Sequence, residues 1–223
     1  MSSTLRAVAF DLDGTLVDSS NAVLDAVAAG VRDVTGRHGK ALDVSRDVIL
    51  GALGQPAGDY YRSILPAGLV HLAAEVQEAA TALEVAAMQD GRDHLFPRVR
   101  ETLDALRSRG FRLACISNAQ LPYFRAALDH QGLAERFDHS ECQEELPRGA
   151  KRPFKSTMLR RALVALEVDA ADVVMVGDRE EDIMSGLEVG TRAVGVTMGF
   201  GTATELERAH ARIDAFEQLL DVI

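Results

Sequence analysis

The 223-residue sequence predicts an α/β fold: a doubly wound parallel sheet with an all-helical cap inserted after its first strand. Three observations carry this. The short apolar runs AVAF (7–10), RLACI (112–116) and VVMV (173–176) each end on polar residues. Their length and β-branched content read as strands buried on both faces. Residues 18–92 instead show Ala, Leu and Val at helical spacing and no convincing strand, and regular β–α alternation begins only afterwards.

The first strand runs into FDLDGTLVD. Residues 21–34 and 69–88 are helical, and Gly51, Gly54, Pro56 and Gly58 mark a loop between helices. The Leu/Ala stripe of 69–88 reads as cap core, with a dimer face as the lesser reading. Residues 1–17 and 93–223 are thereby assigned to the core, and 18–92 to the cap. Residues 99–109 place Val99, Leu103 and Leu106 on one face and stop at Gly110, a C-terminal cap. The second strand follows. Residues 155–166 and 180–189 are further helices on either side of the third strand, and AVGVTMG (193–199) is a strand entering a glycine-rich turn.

Composition narrows the function. With 47% hydrophobic and 26% charged residues the chain has an ordinary globular balance. No apolar stretch approaches the roughly 20 residues that cross a bilayer, so no membrane partner is expected. MSSTLRAVAFDLDG turns acidic too early for a signal-peptide core. A cytoplasmic location is the expectation. The net charge of −10 leaves no basic stripe for nucleic acid. The short basic cluster at 148–155 suits a small anion. Cys115 lies in an apolar run and Cys142 in an acidic, loop-like stretch, and no disulfide is expected between them. Monomer and homodimer both stay open.

In an open α/β sheet, ligands bind beyond the carboxyl ends of the strands. Here those ends deliver Asp11, Asp13 and Thr15, then Ser117 and Asn118, then GDREED with Asp178, Glu181 and Asp182. Asp11 and Asp13 stand two apart, and Asp178 and Asp182 four apart at a helix start, so each pair can face one crevice. Carboxylates crowded together repel unless a hard cation sits among them, and an all-oxygen set suits Mg²⁺. A carboxylate can attack phosphorus to form an aspartyl-phosphate. A second carboxyl can protonate the leaving group and then activate water. Ser117, the backbone after it and one fixed cation would hold the transferring oxygens.

DLDGT, then SN after a strand, then a basic residue beside Pro153, then GDREED resembles the ordered four-motif signature of the haloacid-dehalogenase superfamily. LFPRVRETLDALRSRGFRLACISN resembles its phosphoglycolate-phosphatase-like branch, with a helical cap. The resemblance implies a phosphatase acting on a small phosphorylated metabolite. It makes Asp11 the nucleophile and Asp13 the general acid/base. Mg²⁺ would be held by the Asp11 carboxylate, the Asp13 carbonyl and Asp178, with Asp182 ligating through water or orienting the shell. Ser117, Asn118 and Thr15 would bind the phosphoryl group, and the cap would exclude water and select the substrate.

The basic motif departs from the family pattern. Aligned on Pro153, Arg152 takes the place of the family's lysine and Lys155 that of a second proline, while Lys151 fits if the loop shifts by one residue. The reading leans to Lys151 and leaves Arg152 and Lys155 open; the two cation types differ in shape. Glu180 reads as a first-turn helix charge, and Tyr60 and Tyr61 as packing residues in the part of the cap that meets substrate in this branch. Asp13 argues against a dehalogenase. A phosphosugar mutase of the β-phosphoglucomutase type and a non-catalytic phosphate-binding module are the remaining alternatives.

Overall fold

The structure, a computed structural model, describes residues 5–92, 94–147, 150 and 153–223. The chain begins with β1 (Ala7–Phe10) and the two-residue β2 (Val17–Asp18). It then enters a helical block of α1 (Ser20–Arg37), α2 (Arg46–Ala52), α3 (Ala57–Ser63) and α4 (Ala73–Gln89). It returns through β3 (His94–Leu95) to α5 (Val99–Ser108), β4 (Arg112–Ser117), α6 (Leu121–His130) and β5 (His139–Cys142). The last part holds α7 (Phe154–Ala165), β6 (Val173–Gly177), α8 (Glu180–Val189), β7 (Arg192–Val196), β8 (Ala211–Ile213) and α9 (Leu219–Val222).

Six strands form one parallel sheet in the order β5-β4-β1-β6-β7-β8. Strand β1 lies inside it, and its residues alternate between faces as the two-residue period of a strand requires. Val8 and Phe10 pack with Val99, Leu103, Leu106 and Phe124 from α5 and α6. Ala7 and Ala9 pack with Met158, Leu159 and Ala162 from α7. Helices thus cover both faces, which is why the central strands are apolar throughout.

The helical block has its own core of Val27, Val31, Val34, Tyr61, Val76 and Ala80 among others. Its helices α1 and α4 approach closely at Gly30, where a Cβ would stand 2.9 Å from the Ala80 backbone nitrogen. A mid-helix glycine costs roughly 0.5–1 kcal/mol against alanine, and here the close approach requires it. No described helix is long and apolar enough to cross a membrane.

Three expectations need correction. The stretch around Cys142 is not a loop but the end of β5, an edge strand paired with β4, and Cys142 is a buried free thiol, as is Cys115. Its sequence, HSEC, hides a strand because Glu141 is charged. That carboxylate is buried and is met by Arg161 of α7 at 2.6 Å. Second, Gly51 and Gly58 lie within α2 and α3, so the break between them is confined to residues 53–56. Third, the passages into and out of the helical block form a small antiparallel ladder, Val17 with Leu95 and Asp18 with His94. β8 was also not anticipated, being only three residues long.

Candidate active site

Phe10 pairs with Cys115 on one side and Val176 on the other, so the polar residues after β1, β4 and β6 emerge side by side. The order of the sheet reverses at β1, and the crevice opens there. Asp11 continues the ladder for one more bond, its N–H donating to the Val176 carbonyl at 2.9 Å. Its side chain is therefore fixed at the floor of the crevice.

Asp11, Asp178 and Asp182 are all buried, and one carboxylate oxygen of each lies within 4.8 Å of the other two. Lys155, on the first turn of α7, enters this cluster. Its Nζ donates to Asp11 Oδ1 at 2.6 Å and lies 2.8 Å from Asp182 Oδ1. Burial disfavours the ammonium, but Asp11, Asp182 and Glu181 outweigh it and raise the lysine's pKa. Burial pushes the Asp11 carboxyl well above its ordinary value; Lys155 opposes this, and Asp182 and Asp178 add to it. Asp178 is pushed up to about 7, first by burial and next by Asp182. Three carboxylates, when all ionised, outnumber the one ammonium by two charges, and the raised pKa values of Asp11 and Asp178 express that excess.

Backbone donors hold the acidic groups in place. Asp178 Oδ2 accepts from the Phe200 and Gly201 N–H groups at 2.7 and 3.2 Å, and Asp182 Oδ2 from Arg179 N–H at 3.0 Å. Gly14, at φ +78°, lies against the Asp178 carboxylate, which a Cβ there would strike. This explains DxDG physically: the chain turns left-handed directly beside a second carboxylate. Thr15 is buried, donates to Asp178 Oδ1 at 3.4 Å and does not line the cavity.

Asp13 points the other way. Its Oδ1 accepts from Ser19 Oγ and Tyr123 Oη, each at 2.7 Å. Burial raises its pKa, and those two hydrogen bonds pull against the rise. Ser117 Oγ accepts from Ala119 N–H at 3.0 Å. Asn118 Nδ2 donates to the Gly54 carbonyl and to Glu181 Oε2, both at 2.9 Å, while its buried Oδ1 has no hydrogen-bond partner among the described residues. Arg179 Nη1 donates to the Leu53 carbonyl at 2.6 Å, and its Nε meets Glu205 at 2.8 Å. Two core side chains thus grip the α2–α3 connection.

Above Asp11 lies a cavity of about 70 Å³ lined by Asp11, Asp13, Ser117 and Lys155 from the core and by Tyr60 and Glu84 from the helical block. Asp11, Asp13, Ser117 and Asn118 line this one cavity, with Asp178 and Asp182 clustered against Asp11. Lys151 and Arg152 lie outside the described residues; among the described residues the cation at Asp11 is Lys155. Its signal was a lysine in the first helical turn after Pro153, the residue preceding α7. Tyr123 and Glu84 gave no local signal, since neither belongs to a motif.

A profile of the haloacid dehalogenase-like hydrolases matches residues 5–190. The chain is 33% identical to the phosphoglycolate phosphatase of Neisseria meningitidis, covering 93% of this chain and 86% of the relative. It is 29% identical to that of Pectobacterium atrosepticum over 98% and 92% of the two chains. The structure of CbbY from Rhodobacter sphaeroides in complex with phosphate superposes with a TM-score of 0.81 at 22% identity, covering 97% and 96% of the respective chains.

Proposed function

Because the chain belongs to the haloacid dehalogenase-like hydrolases, we propose that it is a Mg²⁺-dependent phosphatase hydrolysing a small phosphomonoester through an aspartyl-phosphate on Asp11. One observation carries the reading: three buried carboxylates and one buried lysine meet at the carboxyl end of the central strand, beneath a small cavity.

The donor set fits a hard divalent cation. It is all oxygen, its oxygens lie within 4.8 Å of one another, and its carboxylates outnumber the one ammonium among them. Asp11, Asp178 and Asp182, with the Asp13 carbonyl, would hold Mg²⁺, which when bound neutralises charge on the phosphoryl oxygens.

The remaining chemistry belongs to the chain's own residues. Lys155 holds Asp11 Oδ1, which orients the carboxylate for attack on phosphorus. As the Asp11 O–P bond forms, the bond to the leaving oxygen breaks and Asp13 supplies that oxygen with a proton. Its raised pKa favours the protonated state this step requires. Ionised Asp13 then takes a proton from water as water attacks phosphorus, the Asp11 O–P bond breaks and phosphate leaves. Ser117 Oγ and the Asn118 backbone are assigned to the phosphoryl oxygens. The helical block, residues 18–92, acts as a cap. The Gly54 and Leu53 carbonyls, held by Asn118 and Arg179, are the latch of its closed state.

The test is phosphate release from p-nitrophenyl phosphate and a panel of small phosphate esters, with Mg²⁺ and with EDTA. Release that EDTA abolishes is the expected result. No release from folded protein overturns the reading.

A further inference from the structure

Asp178 is tied to the helical block through two neighbours. The first is Phe200, whose N–H donates to Asp178 Oδ2 at 2.7 Å, with the Gly201 N–H joining at 3.2 Å. Such bonds to a carboxylate are charge-assisted and fix its direction. The backbone can lie this close because glycines flank Phe200. A Cβ on Gly199 would strike the Gly14 carbonyl and the Asp178 side chain, and one on Gly201 would strike the Asp178 carbonyl. Of these three residues only Phe200 bears a side chain, and it packs against the hydrophobic core of the helical block. Met198, two positions earlier, packs against the core of the sheet instead. The second neighbour is Arg179. Its Nη1 holds the Leu53 carbonyl at 2.6 Å, and a Cβ on Gly54 would stand 3.1 Å from its Cγ, so the α2–α3 connection rests on the arginine stem. Glu205 joins the two neighbours: its Oε2 accepts from Arg179 Nε at 2.8 Å, and its Oε1 from the Thr202 N–H, just after Gly201, at 3.1 Å.

A carboxylate that binds a metal owes part of its affinity to the hydrogen bonds that orient it from behind. Here the residue supplying the shorter of those bonds has its side chain seated in the other body. We propose, on the basis of the phosphatase reading, that Phe200 is a positioning residue which couples closure of the helical block to the metal site through Asp178. With the block closed, the ring is held in the block's core and the 199–201 backbone is pressed onto Asp178 Oδ2. When the block moves away, the ring loses its seat, the Arg179 contact to Leu53 breaks, and the segment loosens its hold on the carboxylate. The closed form therefore binds Mg²⁺ more tightly than the open form. By linkage, Mg²⁺ favours closure by the same factor. The cation site is thus complete only when the block that excludes water is shut.

The experiment measures Mg²⁺ binding by titration calorimetry, with no substrate present, to the wild type, Phe200→Ala and Phe200→Leu, each shown to be folded by its melting curve in EDTA. Phe200→Ala is expected to raise the Kd for Mg²⁺ about fivefold or more. Phe200→Leu keeps an apolar side chain for the block's core and should restore most of the affinity. In the wild type, Mg²⁺ should also slow amide hydrogen exchange at Leu53, Gly54 and Gln55 by a similar factor, and by less in Phe200→Ala. Should Phe200→Ala not fold, the exchange measurement on the wild type decides the question. An unchanged Kd in folded Phe200→Ala overturns the proposal. So does exchange at residues 53–55 that is indifferent to Mg²⁺, or an absence of Mg²⁺ binding by the wild type. If Mg²⁺ binds but p-nitrophenyl phosphate is not hydrolysed, the phosphatase reading falls and the affinities alone decide the coupling.

Discussion

Lys155 Nζ donates to Asp11 Oδ1 at 2.6 Å with both side chains almost fully buried, and the same ammonium lies 2.8 Å from Asp182. Removing one partner of such a cluster leaves charge buried without compensation, at a cost of about 3–5 kcal/mol. Lys155→Met is therefore expected to lower the urea midpoint strongly in EDTA and less in Mg²⁺, because the cation takes over part of the neutralisation. Equal losses in both conditions would show that the lysine and the metal do not share this charge.

Asp11→Asn should abolish turnover while leaving the circular dichroism spectrum unchanged. Without metal the variant should also melt no lower than the wild type. Asp11 is held above its ordinary pKa by burial and by two neighbouring acids, so a neutral amide relieves that repulsion at the expense of the Lys155 contact. Measurable turnover by Asp11→Asn would end the aspartyl-phosphate mechanism.

The same cluster gives stability a pH dependence. Asp178 titrates near 7 in the folded protein against an ordinary value of 3.8. A raised pKa in the fold contributes stability that is complete below the unfolded value and is lost as pH rises through the folded one. In EDTA the melting temperature should thus fall between about pH 4 and pH 7, and Asp178→Asn should flatten that slope. Added Mg²⁺ should restore stability at pH 7. A flat profile for the wild type in EDTA would contradict the burial of these charges.

Tyr123→Phe removes one of two donors to Asp13 Oδ1. The tyrosine hydrogen bond holds the Asp13 pKa down against burial, so its loss should move the apparent pKa of the acid/base group upward. It should also reduce kcat by about tenfold, the worth of one hydrogen bond to a charged group. Steady-state kinetics across pH measures both.

How much of this is visible in the sequence depends on distance along the chain. AVAF, FDLDGT and GDREED reveal strand, turn and acidic cluster because their chemistry is local. Gly14 even encodes a contact with Asp178, although the sequence alone shows only a turn. Lys155 was ambiguous because its motif sits in a connection where a shift of a few residues changes which cation reaches Asp11. Tyr123 stands 110 positions from Asp13, and the pairing of β1 with β4, which α6 follows, brings them together. β5 reads poorly in the sequence because Arg161, which pairs with Glu141, belongs to α7, 20 residues further along the chain.

Arg179→Ala releases the Leu53 carbonyl and the Glu205 carboxylate together. With the core end of the latch gone, KM should rise roughly threefold to tenfold, with kcat little changed. A fall in kcat alone would assign Arg179 to the chemistry instead of to closure.

The ladder of Val17 with Leu95 has a topological meaning. It closes the chain at the base of the helical block, so the sheet is joined there as it would be by a hairpin. Seen from the sheet, everything between these two residues is a single loop, whatever is folded inside it. Closing a loop costs only roughly 0.6 kcal/mol more for each doubling of its length. The length of the excursion between them therefore adds little to the closure cost of the core, although Met88 of α4 packs back into that core.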